Sequence, residues 1–260
     1  MNISVVIPTY KRPDLLARLL KSISLQTLLP NEVIVIDDCS GMESEYSAVI
    51  KEFDSIFEKL IFESLKQNSG APTARNLGIS KAKGDWVALV DDDDEWLPSK
   101  LEKQAELINK SNDPQLGFVY TWTEAKGQAG QESYTSKVSH KGDSVSALLN
   151  TNYIMSASVL IKRQALQDVS GFKESLPSCQ DWDTWIRIAL AGYHFDLVEE
   201  VLTIYHRHGG ESIGLSPKAK LGYKLLLEAF WLKIITKTSP INWLKKALLY
   251  IKVVREIKNG

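Results

Sequence analysis

The stretch Gly84-Asp85-Trp86-Val87-Ala88-Leu89-Val90-Asp91-Asp92-Asp93-Asp94-Glu95-Trp96-Leu97-Pro98 decides how this chain is read. An unbroken apolar run, Trp86 to Val90, empties into four consecutive aspartates. Apolar runs of this kind mark strands buried on both faces, as in the middle of a parallel sheet. Open α/β sheets collect their ligands at the carboxyl ends of such strands. Four adjacent carboxylates repel one another at neutral pH unless a cation neutralises them, and hard oxygen donors suit Mg²⁺ or Mn²⁺. The competing reading is a solvated acidic loop, the ordinary meaning of a charge run.

Upstream, the same pattern repeats. Ile3 to Ile7 is a β-branched run closed by Pro8, which cannot donate to a ladder. Pro13 and Asp14 then open a helix in which Leu15, Leu16, Leu19, Leu20 and Ile23 recur at helical spacing. Glu32 to Ile36 predicts a second strand delivering Asp37 and Asp38 to its end. A helix over 43–53, a strand over 59–65, the turn cluster Gln67 to Pro72 and a helix over 73–82 closed by Gly84 follow. After the aspartates, Pro98 begins an amphipathic helix to about Lys110. Strand and helix alternating in this way predict a right-handed, doubly wound parallel sheet of Rossmann-like topology. The first strand is not followed by G-x-G-x-x-G, so a dinucleotide-dependent oxidoreductase lacks its fingerprint.

Downstream, the signal is less regular. Strands are expected over 116–123 and 156–161, a polar surface loop over 126–141, and a short helix over 163–168. Trp182, Trp185, Ile186, Ala189 and Leu190 form one helical face, with Asp181 at its amino end and Gly192 past its carboxyl end. A strand over 195–205 leads to His206 and His208. The tail from Leu215 predicts two amphipathic helices broken at Ser239-Pro240.

The chain has 260 residues, 44% hydrophobic and 24% charged, with a formal net charge of −1, which is globular and excludes disordered and disulfide-scaffold classes. That charge is unevenly shared: from Lys218 onward ten Lys or Arg face only Glu228 and Glu256, leaving an acidic body. An acidic body argues against a nucleic-acid partner, while the basic tail suits an anionic membrane surface, packing on the body or a homodimer contact. Cys39 and Cys179 lie outside any metal-ligand spacing and read as free thiols. The start, Met1 to Pro8, has no basic, extended apolar leader, and no stretch reaches the roughly 18 apolar residues of a membrane span. The expected location is cytoplasmic, with peripheral attachment to the inner membrane face as an option.

Five segments in order carry a resemblance: Val5 to Pro13, Ile36 to Ser40, Asn68 to Gly78, Val90 to Trp96 and Gln180 to Trp185. Together they resemble the inverting family-2 glycosyltransferases of the GT-A fold, over about residues 3–212. The resemblance implies an α/β fold with a mostly parallel central sheet flanked by helices and a C-terminal helical extension. It divides the chain into a catalytic domain, 1–214, with a nucleotide-binding half, 1–112, an acceptor-binding half, 113–214, and a helical tail, 215–260.

The resemblance further implies that Pro8, Thr9 and Tyr10 meet the base and ribose of a nucleotide, that Asp38 accepts from the base N3–H, and that Asn68 and Arg75 belong to the same site. It places Asp91 and Asp92 on the nucleotide and Asp93 on a Mn²⁺ or Mg²⁺ ion, with His208 as a further metal contact. Asp181 matches the catalytic base, although Gln180 stands where the family more often has Glu. The implied donor is a nucleotide sugar, UDP-linked by expectation, and the implied acceptor a glycan or lipid-linked saccharide. The chemistry asks for these parts on its own account: departing phosphates need a Lewis acid and the attacking hydroxyl needs a base. Asp38 and Asp181 also suit turn and helix-capping roles, and a non-catalytic nucleotide- or glycan-binding protein is the alternative function.

Overall fold

The computed structural model describes residues 1–127, 132–206 and 217–259. The chain forms β1 (Ile3–Thr9), α1 (Pro13–Ser24), β2 (Glu32–Asp37), α2 (Glu43–Phe53), β3 (Leu60–Ser64), α3 (Ala71–Lys81) and β4 (Trp86–Leu89). Then come β5 (Glu95–Trp96), α4 (Lys100–Lys110), β6 (Leu116–Lys126), β7 (Tyr134–Ser136), α5 (Val145–Asn150), β8 (Leu160–Lys162), α6 (Arg163–Asp168), α7 (Gln180–Leu190) and β9 (His194–His206). The C-terminal pair is α8 (Pro217–Lys237) and α9 (Pro240–Asn259).

The strands join one sheet in the order β3-β2-β1-β4-β8-β6-β9-β5, with β7 added to β6. β1 pairs in parallel with both β2 and β4, and β2 with β3. Beyond β4 the sheet is mixed: β8 is antiparallel to β4 and β6, whereas β6 and β9 run parallel. Every residue of β1 is buried, and alternate side chains enter two different cores. Val6 joins one cluster with Ile34, Ile36, Val87 and Leu89, while Val5 and Ile7 join the other with Val33, Val35 and Ala88. This two-sided burial is why these strands carry no polar alternation.

Helix α1 buries Leu16, Leu19, Leu20 and Ile23, one stripe at intervals of three and four. Helix α3 lies so close to the sheet that a Cβ on Gly78 would stand 2.4 Å from Val6 Cγ1, so glycine is required there. Three differences from the sequence reading follow from pairing. Glu95–Trp96 is a strand because β9 offers it an antiparallel partner. Ser156–Ser158 is a 3₁₀ turn preceding β8 rather than strand. The expected loop beyond Lys126 includes β7, which pairs with β6 through Tyr134, Thr135 and Ser136.

The tail packs on the body: Leu226, Leu227, Phe230 and Ile234 of α8 are buried in the same cluster as Trp182 and Trp185 of α7. α8 and α9 form an antiparallel hairpin, joined by Lys246 Nζ to the Tyr223 hydroxyl (3.0 Å), Tyr250 to Glu228 (2.7 Å) and Lys220 to Glu256 (2.8 Å). Among the described residues no helix is long and apolar enough to cross a membrane.

Candidate active site

In the strand order β3-β2-β1-β4, the connections leave β1 first toward β2 and later toward β4. Such a reversal opens a crevice at the carboxyl ends of the strands, where this class of sheet binds ligands. Pro8 to Tyr10 leave β1 there, Asp38 leaves β2, and Asp91 to Asp94 leave β4. Pro8 to Tyr10, Asp38, Asp91 and Asp93 border a cleft of about 1110 Å³ whose opposite wall carries Asn152, Cys179, Gln180, Asp181, Trp182 and Tyr223.

The aspartate run is a tight turn in which the Asp94 amide donates to the Asp91 carbonyl at 3.1 Å. The turn divides the four carboxylates. Asp91 and Asp93 line the cleft, and Asp92 and Asp94 point into the protein with 0% and 3% exposure. Asp91 meets Arg75 Nη2 at 2.5 Å, and Asp93 meets Arg12 Nη1 at 2.6 Å. Arg12 Nη2 also reaches Asp92 Oδ1 at 2.8 Å, while Thr9 Oγ1 donates to Asp92 Oδ2 at 2.7 Å. The Asp93 carbonyl accepts from Arg18.

Burial pushes the Asp92 carboxyl up to about 7, against the pull of Arg12 and Thr9. Burial, reinforced by its three acidic neighbours, holds Asp94 well above the usual carboxylate range. Among the described residues its Oδ1 is buried without a hydrogen-bond partner. Burial works against the charge of Arg75, but Asp91, Asp181 and Asp94 more than restore it and keep the guanidinium charged.

Asp38 is buried, and its two oxygens accept the amides of Ser69 (2.7 Å) and Gly70 (2.8 Å), which ties the turn before α3 to β2. Asn68 Nδ2 donates to the Asp38 carbonyl at 3.1 Å, so it supports that turn and does not line the cleft. Asp38 itself does line it. Asp37 is held by Ser40 and Ser64 inside the protein.

Asp181 stands in the first turn of α7, where an anion is favoured. Asn152 Nδ2 donates to its Oδ2 at 2.9 Å, and burial raises its pKa while the Trp182 amide, Asn152 and Arg75 oppose that rise. Two residues on, Asp183 is fully buried between Arg187 Nε (2.6 Å) and Lys173 Nζ (2.8 Å). That geometry makes Asp183 a structural ion pair and leaves Asp181 as the carboxylate of α7 in the cleft.

Left-handed backbone clusters here as well. Lys11 (φ 55), Cys39 (φ 62) and Cys179 (φ 58) each adjoin a site segment. Non-glycine residues in this conformation cost on the order of 1–3 kcal/mol and concentrate at functional sites.

Of the residues singled out from sequence, Pro8, Thr9, Tyr10, Asp38, Arg75, Asp91, Asp93 and Asp181 line the cleft. Asp92 sits behind it, Asn68 beside it, and His208 lies outside the described residues. His206 contacts Glu95 at 3.1 Å. Arg12, Asn152, Tyr205, Lys220 and Tyr223 also line the cleft and were not anticipated as site residues. Arg12 could have been found, since it adjoins the Pro8–Tyr10 segment; Asn152 and the tail residues carry no local signal.

A curved α/β sheet with this cleft defines the GT-A class of glycosyltransferases. The fold matches residues 1–349 of TarS from S. aureus in complex with UDP, with a TM-score of 0.68 and 23% identity, covering 88% of this chain and 65% of that one. It also matches the mannosyltransferase PcManGT from Pyrobaculum calidifontis in complex with GDP-Man and Mn²⁺, with a TM-score of 0.63, 20% identity and coverage of 93% and 66%. Both solved chains extend beyond what this chain spans.

Within that class the chain belongs to glycosyltransferase family 2, whose model, Glycosyl transferase family 2, matches residues 4–170. The uncharacterized glycosyltransferase YwdF of Bacillus subtilis (strain 168) is 33% identical over 195 residues, 73% of this chain and 68% of the relative. The putative teichuronic acid biosynthesis glycosyltransferase TuaG of the same strain is 29% identical over 206 residues, 78% of each.

Proposed function

We propose that this glycosyltransferase moves a hexosyl or N-acetylhexosaminyl group from a UDP-sugar to a hydroxyl of a glycan or lipid-linked saccharide, with inversion, in surface polysaccharide or glycoconjugate assembly. The observation that carries the reading is the placing of Asp181 across one cleft from the Asp91–Asp94 turn. A single in-line displacement needs one base on the acceptor side and charge neutralisation on the leaving-group side. Asp183, locked in its ion pairs, does not compete for the base role.

Residues 1–112 form the nucleotide side in this reading and 113–214 the acceptor side, with 215–260 as a tail that closes one wall. Pro8, Thr9 and Tyr10 border the base and ribose, and the Asp38 lone pairs not used by Ser69 and Gly70 accept the uracil N3–H. Arg12 and Arg75 supply positive charge to the phosphates.

A divalent ion fits on the chemistry of its donors. Among the described residues no group of three His, Cys, Asp or Glu encloses a cation alone, but Mg²⁺ characteristically shares its shell between one or two carboxylates and substrate phosphates. Asp93, with Asp91 beside it, offers such oxygens on the cleft surface. When bound, the ion would neutralise charge developing on the departing diphosphate. The UDP complex of TarS, the Mn²⁺ complex of PcManGT and the putative teichuronic acid biosynthesis named for TuaG support the donor, ion and pathway assignments.

Asp181 takes the acceptor proton. Its burial makes it a stronger base than a solvated aspartate, and the Asn152 amide fixes one oxygen so that the other can face the acceptor. Asp181→Asn keeps shape and helix capping but removes basicity, so kcat should fall by roughly 10² to 10⁴. UDP affinity, measured by calorimetry in Mn²⁺ and again in EDTA, should match wild type in both media and be weaker in EDTA. Wild-type turnover by the variant would identify Asp181 as a capping residue only.

A further inference from the structure

The α8–α9 hairpin has two unlike faces. Its inner face is built into the body: Leu226, Leu227, Phe230 and Ile234 are core residues. A Cβ on Gly222 would lie 2.0 Å from Ser178 Oγ, so the two backbones are in direct contact. The outer face exposes a cluster of large apolar side chains. Among the described residues, nine of the 16 exposed large hydrophobic side chains fall between Leu221 and Ile257. On α9, Ile241, Leu244, Lys245, Leu248, Ile251 and Lys252 stand at i, i+3, i+4, i+7, i+10 and i+11, so aliphatic and basic side chains share one exposed stripe. Leu232 (76% exposed) and Ile235 extend the apolar surface on α8.

Charge selects what can cover this face. The carboxylates of the hairpin are engaged internally, Glu228 with Lys224 and Tyr250, and Glu256 with Lys220. Lys233, Lys237, Lys245, Lys252 and Arg255 are exposed and form no ion pair among the described residues, Lys252 acting on Glu256 only at longer range. A second copy docking through a twofold axis would press this patch against itself, cation against cation. An anionic lipid surface complements both the cations and the aliphatic side chains.

We propose that the outer face of the α8–α9 hairpin docks this enzyme on an anionic phospholipid bilayer, lying in the plane of the interface. Its aliphatic residues enter the boundary between headgroups and acyl chains, and its lysines and Arg255 sit among the headgroups. Among the described residues no helix is long and apolar enough to cross the bilayer, and the hairpin is placed on its surface. Leu249 is both exposed and part of the cleft wall beside Val253, so docking would set the mouth of the cleft at the lipid surface. Delivery of a lipid-linked acceptor to Asp181 is the consequence, and that consequence alone rests on the transferase reading above.

The test is flotation of the full chain with vesicles of phosphatidylcholine alone or mixed with phosphatidylglycerol, which needs no sugar transfer and so stands or falls independently of the catalytic assignment. Wild type should float with the anionic vesicles, lose that binding at high salt, and stay unbound with neutral ones. Neutralising three cations in Lys245→Gln/Lys252→Gln/Arg255→Gln should weaken partition by roughly 100-fold, at roughly fivefold per cation near an anionic surface. Leu244→Asn/Leu248→Asn should also release the protein, with melting temperature and UDP binding retained in both variants. No flotation of wild type, equal flotation with neutral vesicles, or unchanged flotation of either variant would overturn the proposal. Sedimentation showing that Leu244→Asn/Leu248→Asn converts a dimer to monomer, without lipid binding by wild type, would assign the face to a second copy.

Discussion

The parallel half of the sheet, β1 to β4, and the region beyond it reach the same cleft by different routes. The cleft residues of the parallel half, Thr9, Arg12, Asp38, Arg75, Asp91 and Asp93 among them, lie at a strand end or within two turns of the helix that follows. The opposite wall is assembled from Asn152, the start of α7, Tyr205 and the tail, segments spread over about 100 residues of the chain. The first wall is a product of local topology, because parallel strands present their carboxyl ends on one edge. The second is a product of packing, and it holds only while α7, α5 and α8 stay pressed together around Trp182, whose indole donates to the Leu148 carbonyl and whose ring lies 5.8 Å from Tyr223.

The largest effect is expected where the two walls meet electrostatically. Arg75→Ala removes the buried partner of Asp91 and the cation that also faces Asp181. Breaking a buried ion pair this way should cost about 3 kcal/mol in urea unfolding of the metal-free protein, the low end for such pairs because Asp91 is partly exposed. A loss close to zero would mean that solvent already compensates Asp91 and that the walls are electrostatically separate.

Gly222→Ala addresses the packed wall alone. Its new methyl would collide with Ser178 Oγ and backbone, and overpacking of this kind costs about 1–3 kcal/mol. Hydrogen exchange should accelerate in α8 and in the start of α7, while UDP affinity and the protection of β1, β2 and β4 remain unchanged. Weakened UDP binding would show that the parallel half is not self-sufficient.

The smallest effect is a slope. Asp92 holds its proton in the folded chain up to about 7, against an ordinary value of 3.8. Between those values the folded state binds more protons than the unfolded one, so this group's contribution to stability is complete below 3.8 and is lost as pH rises through about 7. Asp94 acts with the same sign. The melting temperature of metal-free protein should therefore carry a declining component across that range, and Asp92→Asn should flatten it. An unaltered slope would move the titration to another group.

Much of the first wall was legible because its physics is local. A strand buried on both faces shows as an apolar run, and its end shows as the polar residues that interrupt it; Val90-Asp91 and Ile36-Asp37 display both. The resemblance assigned Asp91 and Asp92 to the nucleotide and Asp93 to the ion, whereas the turn between β4 and β5 leaves Asp91 and Asp93 on the cleft and buries Asp92 and Asp94. Four like letters in a row hold no information about that alternation.

Asp181 was found through a resemblance of motif rather than through any physical pattern, and Asp183 stands two residues away in the same helix; the ion pairs with Lys173 and Arg187 are what separate them. Asn152 and Tyr223 could not be read at all, because the contacts that place them are made to residues about 30 and 40 positions away, Asp181 and Trp182. The tail divides in the same way. Its basic, apolar composition and its break at Ser239-Pro240 are properties of the chain, and they determined two helices. Which side of each helix is buried was decided by the tertiary structure, because Leu226 and Leu232 are chemically identical and only the surface offered by α5 and α7 makes one a core residue and leaves the other in solvent.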